Sequence, residues 1–138
     1  MIWSRGVNKR PVHREYKEAV KLHSWLEVRG IEHFHVPNET GGNAARGAMN
    51  KRMGVKKGVP DFFIFHGDRN IAIELKRKDG GSGATKDQRR WLQILAAHKF
   101  ESYLCNGADE AIAVIEKPPE NLICKKFSTD VTEVDCPF

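Results

Sequence analysis

The segment from Gly58 to Lys76 constrains this chain more than any other. Two apolar runs, Phe62-Phe63-Ile64-Phe65 and Asn70-Ile71-Ala72-Ile73, flank His66-Gly67-Asp68-Arg69. Aromatic and β-branched residues on either side of a Gly-Asp pair predict a two-residue β-hairpin, with glycine at the first central position as a type II′ turn requires. With Gly67 and Asp68 as the loop, His66 faces Arg69, Phe65 faces Asn70, Ile64 faces Ile71, Phe62 faces Ile73 and Asp61 faces Glu74. Side chains alternate along a strand, so Asp61, Glu74 and Lys76 project from one face, and Phe62, Ile64, Ile71, Ile73 and Leu75 from the other.

Two carboxylates opposed across a hairpin repel each other and call for a compensating cation. A divalent metal fits that need. Hard cations such as Mg²⁺ take one or two carboxylates, with waters and substrate phosphate oxygens completing the shell. Lys76, two residues after Glu74, would lie beside such an ion, placed to orient an attacking water and to offset charge in a phosphoryl transition state. A lone Glu-x-Lys on an exposed strand is ordinarily a solvated face. Here the Pro60-Asp61 lead-in, the register that aligns the two acids and a strongly basic flank favour a metal site.

The 138 residues suffice for one domain with a real core and leave little room for a second. Lys and Arg outnumber Asp and Glu 23 to 18, a net charge of +5 that suits a polyanionic partner. No apolar run is long enough to span a bilayer, and Met1 to Arg10 lacks the apolar centre of a signal peptide. These features predict a soluble, intracellular, cytoplasmic protein. Cys105, Cys124 and Cys136 have no Cys-x-x-Cys spacing and read as reduced and incidental.

Pro11 to about Arg29 reads as a helix with Ala19, Leu22 and Leu26 at helical spacing, Tyr16, Val20 and Trp25 widening the stripe, and Gly30 ending it. Glu15 extends that apolar face at its N-terminal end, an odd place for a carboxylate unless it is a first-turn acid favoured by the helix dipole. Glu18 lies one turn later, partly off the stripe. Ile31 to Val36 reads as a strand with Phe34 and Val36 facing the core, and Ile31, His33 and His35 on the other side. Two histidines on one strand face without a third ligand read as surface or polar-core residues.

Asn38 to Gly58 is basic and irregular, with Arg46, Lys51, Arg52, Lys56 and Lys57 against a single acid, Glu39, and with a short helix over Ala44 to Met53. Its cations lead into Pro60-Asp61 and suit a nucleic-acid backbone, as do Arg77, Lys78, Arg89 and Arg90. After a glycine-rich loop, Thr85 and Gln88 match a capping box for a helix from about Lys86 to Lys99, whose core stripe is Trp91, Leu92, Leu95 and Ala96. Ser102 to Cys105 then reads as a strand and Ala108 to Glu116 as a helix stopped by Pro118 and Pro119. Glu120 to Phe138 carries no assignable motif. The order helix, strand, strand, strand, helix, strand, helix describes an α/β sandwich with a central mixed sheet.

Gly58-Val59-Pro60-Asp61, Glu74-Leu75-Lys76-Arg77-Lys78 and Asp87-Gln88-Arg89-Arg90-Trp91-Leu92 resemble the virus-type replication-repair nuclease (VRR-NUC) branch of the PD-(D/E)xK nuclease superfamily. The resemblance spans roughly residues 12 to 116, leaving 117–138 as a C-terminal extension of a single nuclease domain. It implies a restriction-endonuclease-like core of order αβββαβ(α). It also implies a Mg²⁺- or Mn²⁺-dependent endodeoxyribonuclease, acting as a homodimer on branched DNA such as four-way (Holliday) junctions or flaps. Asp61, Glu74 and Lys76 stand at the matching catalytic positions. The backbone carbonyl of Leu75 completes the implied ligand set with Glu15 through water, Glu18 being the alternative glutamate for that place, and Gln88 joins the active-site side of the sheet. That role competes with helix capping, and the two together are not expected to be served well by one amide.

Overall fold

The computed structural model describes residues 14–37, 43–79, 83–117 and 125–127. Along the chain run α1 (Arg14–Arg29), β1 (Glu32–His35), α2 (Ala44–Arg52), β2 (Phe62–His66), β3 (Arg69–Lys76), α3 (Lys86–Ala97), β4 (Glu101–Asn106), α4 (Ala108–Glu116) and β5 (Lys125–Phe127). The strands form one sheet in the order β1-β2-β3-β4-β5. Among the described residues only the β3–β4 pair is parallel. A parallel pair needs a crossover, and α3 supplies it on one face of the sheet while α1 and α4 pack on the other. This is the expected mixed α/β sandwich, with β5 added from a tail in which the sequence shows no strand pattern.

The hairpin adopts the expected register: Phe62 pairs with Ile73, Ile64 with Ile71, Phe65 with Asn70 and His66 with Arg69. Gly67 has a φ of +61°, and Asp68 is not in the left-handed region, the combination a type II′ turn uses. Phe62, Ile64, Ile71, Ile73 and Leu75 therefore all point towards α1 and α4, where they meet Leu22, Leu26, Tyr103, Ala111, Val114 and Ile115 in one buried core. The alternate residues of β3, Ala72, Glu74 and Lys76, are buried too, on the α3 side.

Two expectations about faces are overturned. Ile31, just before β1, and His33 within it turn inward and Phe34 is 51% exposed, the reverse of the predicted polarity. The alternation is right but its sign depends on which face is covered. The edge strand β1 is packed by α1, on the side of Ile64, which pairs with His33. α3 packs over β3, β4 and β5, so Phe34 is left to stack on Phe63 at 5.1 Å and to lean on Phe65 at 6.2 Å. In α1, Leu22 and Leu26 are buried, but Tyr16 and Val20 are exposed and do not widen the stripe. The helix meets the sheet along a narrower seam than its apolar content suggests.

Helix α4 is pinned at both ends by charged side chains from other elements. Gly107 precedes it with φ +91° and no side chain to cap the helix, and Glu18 Oε2 of α1 accepts the Ala108 amide hydrogen at 2.7 Å instead. At the other end Arg69 is held by Glu101 through two hydrogen bonds of 2.7 and 3.2 Å. From there it donates to the carbonyls of Val114 at 3.0 Å and Ile115 at 2.8 Å. An anion at the N-terminus and a cation at the C-terminus both match the helix dipole. Glu18 thus acts as a capping residue. Glu18→Ala is expected to cost about 1 kcal/mol of stability in urea denaturation, the usual value of a lost cap. An unchanged midpoint would show that Ala108 finds another acceptor.

Candidate active site

The carboxylates gather where β2 begins and β3 ends. Beyond the last backbone pair of the hairpin, Phe62 with Ile73, the Asp61 side chain takes over as ladder acceptor: its Oδ2 receives the Leu75 amide hydrogen at 2.8 Å. The Asp61 carbonyl meanwhile accepts from Val36, at 2.8 Å, just past the end of β1. Asp61 is therefore tied to both neighbouring strands.

Glu74 and Lys76 lie two apart on the same face of β3, and α3 covers them. Gln88 Nε2 donates to Glu74 Oε1 at 2.6 Å, and Lys76 Nζ donates to Gln88 Oε1 at 3.0 Å. Lys76 Nζ also approaches Glu74 Oε1 to 3.7 Å. The same Gln88 oxygen accepts the Thr85 amide hydrogen at 2.9 Å, and the Gln88 amide donates to Thr85 Oγ1 at 3.3 Å, which closes the capping box. The predicted conflict between the two roles of Gln88 does not arise. A carboxamide oxygen has two lone pairs, one for the helix start and one for Lys76, and the NH₂ is left for Glu74.

Burial is the first cause that raises the pKa of both acids. Glu74 is only 3% exposed and is pushed up to about 8, by desolvation and then by Asp61, with Lys76 working in the opposite direction. Asp61 is raised by desolvation, against the Leu75 hydrogen bond and the electrostatic influence of His35 and Lys76. Glu15 raises both. It is exposed, which corrects the expectation that it lies off the solvent side. It sits at the N-terminal end of α1, yet its charge reaches the site. His35, expected to be a surface or polar-core residue, also acts electrostatically on Asp61, and its ring packs 4.9 Å from Phe62.

The donor set suits a hard divalent cation. Glu74 Oε2 is buried with no hydrogen-bond partner among the described residues. A buried carboxylate oxygen left this way is costly while ionised, so it either keeps a proton or is completed by a cation. Asp61 and Glu74 would hold such an ion, which would supply Lewis-acid polarisation of a phosphoryl oxygen.

Gly58 fixes the geometry from behind. Its φ is +80°, and a Cβ there would fall 2.5 Å from the Asp87 carbonyl carbon and 2.6 Å from the Gln88 nitrogen. The loop before Pro60 thus lies directly against the first turn of α3, the turn that carries Gln88.

The predicted cations divide into two groups. Arg77 and Lys78 directly follow Lys76, Arg89 and Arg90 directly follow Gln88, and Lys56 and Lys57 lead into Gly58, so these flank the site by chain connectivity. Arg77 lies 3.4 Å from Asp79, and Lys78 lies 3.8 Å from Asp109. Arg46, Lys51 and Arg52 are carried by α2, which is capped by Asn43 and buries no residue. Arg46, Lys51, Arg52, Lys56 and Lys57 are exposed and make no ion pair among the described residues.

The VRR-NUC domain family matches residues 13–109. The chain belongs to the VRR-NUC family. A solved structure described as a VRR_NUC domain protein is 28% identical, with a TM-score of 0.62 over 75% of this chain and 85% of that one. No curated protein matches. VRR-NUC membership brings with it a nuclease-type function, and with it a DNA substrate and the divalent-metal chemistry general to such domains. Among the described residues no helix is long and apolar enough to cross a membrane.

Two outcomes follow from this VRR-NUC site. A carboxyl whose folded pKa exceeds its unfolded value binds more protons folded than unfolded between the two, so stability falls as pH rises through that window. For Glu74 the window runs from 4.5 to about 8. Metal-free wild type is therefore expected to lose urea resistance across it more steeply than Glu74→Gln, and saturating Mg²⁺ to restore the loss. Equal slopes for the two proteins would contradict the burial of an uncompensated acid. Gly58→Ala is expected to cost more than about 2 kcal/mol, from left-handed strain and the clash with α3. A chain as stable as wild type in chemical denaturation would show that the loop and α3 are not in close contact.

Proposed function

We propose that this chain is a Mg²⁺- or Mn²⁺-dependent endodeoxyribonuclease with a preference for branched DNA such as four-way junctions or flaps. The observation that carries the reading is the buried Glu74 Oε2, without a hydrogen-bond partner among the described residues, beside Asp61, Lys76 and Gln88. A fold would avoid that arrangement unless a cation and an anionic substrate completed it.

In this reading Asp61, Glu74 and the carbonyl of Leu75 hold the metal, and Glu15 assists through water. Hydrolysis joins a water oxygen to phosphorus and breaks the bond to one ester oxygen, which leaves with a proton. Lys76 is the group suited to the water. Gln88 and Glu74 fix its ammonium on the α3 side of the sheet, so it donates a hydrogen bond from a set position and offsets the charge that grows on the phosphoryl oxygens. Gln88 acts as a positioning residue: it locks both partners and ties them to the start of α3.

Arg77, Lys78, Arg89, Arg90, Lys56 and Lys57 would track the phosphates beside the cleaved bond, and Arg46, Lys51 and Arg52 would extend the contact along α2. One described set of these residues cuts one strand. A two-fold homodimer would present two such sites to a junction.

The test is cleavage of a labelled four-way junction, a flap and plain duplex with Mg²⁺, Mn²⁺ or EDTA, with the oligomer measured by light scattering. Metal-dependent cutting of branched DNA is expected, reduced at least about 10²-fold in Lys76→Ala, the order seen on removing one charge-stabilising donor. Failure to cut any substrate, with salt-sensitive binding retained, would favour a binding module that uses the same basic surface without chemistry.

A further inference from the structure

We propose a second metal site, for Zn²⁺, built from His23 and Glu27 of α1 and His33 of β1. Ligand atoms from these three side chains lie within 4.8 Å of one another. His23 Nδ1 is 2.8 Å from His33 Nε2, and His33 Nε2 is 3.7 Å from Glu27 Oε1. The site goes beyond the nuclease reading and shares no residue with it.

The tautomer of His33 is fixed for ligation. Its Nδ1 is 2.7 Å from the carbonyl oxygen of Ile31, which can only accept, so Nδ1 carries the hydrogen and Nε2 of the neutral ring presents its lone pair to His23 and Glu27. A carbonyl on the remote nitrogen is the usual outer-shell support of a metal-bound histidine. The His33 side chain is 5% exposed and so held in one place, whereas Glu27 is 65% exposed at the mouth. Without an ion, the 2.8 Å contact is a hydrogen bond in which a neutral His33 accepts at Nε2 from His23 Nδ1. With one, it moves to the other tautomer and both nitrogens become ligands.

Spacing and chemistry agree. His23 and Glu27 are four apart on one helix and therefore stack on one face. His33 comes up from the strand beneath because β1 turns its Ile31 and His33 side towards α1. Two imidazoles and a carboxylate, with a fourth position open to water, form a donor set that zinc accepts at about 2.0–2.2 Å and that Mg²⁺, which wants an oxygen shell, does not. Glu15 precedes His23 by eight residues, or about 12 Å of helix, so this ion would be distinct from the one at Asp61 and Glu74. It would clamp α1 to the edge strand.

The experiment is zinc titration of the full chain, stripped of metal and held in excess Mg²⁺, by calorimetry and thermal denaturation. Wild type, Asp61→Asn, His23→Gln and Glu27→Gln are compared, with circular dichroism to check folding. The inference expects one Zn²⁺ per chain in wild type and Asp61→Asn, with Tm raised by roughly 5 °C or more at hundredfold excess over Kd. It expects at least about tenfold weaker binding in His23→Gln and Glu27→Gln. Should His23→Gln fail to fold, Glu27→Gln, altered at an exposed position, decides alone. Zinc lost in Asp61→Asn would place it in the nuclease site. Zinc bound equally by a folded His23→Gln or Glu27→Gln would place it elsewhere, for example on thiols. No zinc bound by wild type would equally overturn the inference.

Discussion

The hydrogen bond from the Leu75 amide to the Asp61 carboxylate is the constraint on which the site depends. It replaces a backbone rung at the open end of the hairpin with a side chain, so an acid is drawn into the ladder one step beyond the last strand pair. Everything else at the site is arranged around that substitution. Glu74 is buried on the α3 face, where Asp61 disfavours its ionisation, and Lys76 follows on the same face. The strand order then matters, because β3 and β4 are parallel and their crossover helix α3 is brought over this same end of the sheet.

Gln88 joins that helix to the chemistry. Its oxygen is shared between the Thr85 amide and Lys76, and its nitrogen serves Glu74. A helix cap and an ion-pair support are thus one amide group. Gly58 lets the preceding loop press against the same turn, so the motif residues before Asp61 and those around Gln88 form a single packed unit. The long separation in sequence hides this contact, since Gly58 and Gln88 are thirty positions apart.

Much of this was legible from the residues. The Gly67-Asp68 turn sets the register, and the register alone brings Asp61, Glu74 and Lys76 to one face, since a slip of one residue would reverse every side chain. The Thr85 and Gln88 spacing marks the start of α3 for a similarly local reason. What failed was decided by tertiary cover. Phe34 looks like a core residue, but α3 packs over β3, β4 and β5, and α1 sits on the opposite face, over Ile31 and His33. Tyr16 and Val20 look like part of a stripe wider than the seam α1 actually buries. Glu18 as the cap of α4, and His23 beside His33, join residues ninety and ten positions apart. No local pattern encodes such pairings. β5 gains its place from pairing with β4, not from any strand signal of its own.

A metal centre built on the buried acids of β3 and its hairpin partner requires a cation on Glu74 Oε2. The most direct measurement is a crystal structure of the chain grown with Mn²⁺, with the ion located by its anomalous scattering. A peak is expected within coordination distance of Asp61 and of Glu74 Oε2, with Lys76 still bonded to Gln88. Manganese bound away from Glu74, or a Glu74 Oε2 without the ion in saturating Mn²⁺, would contradict a metal centre here.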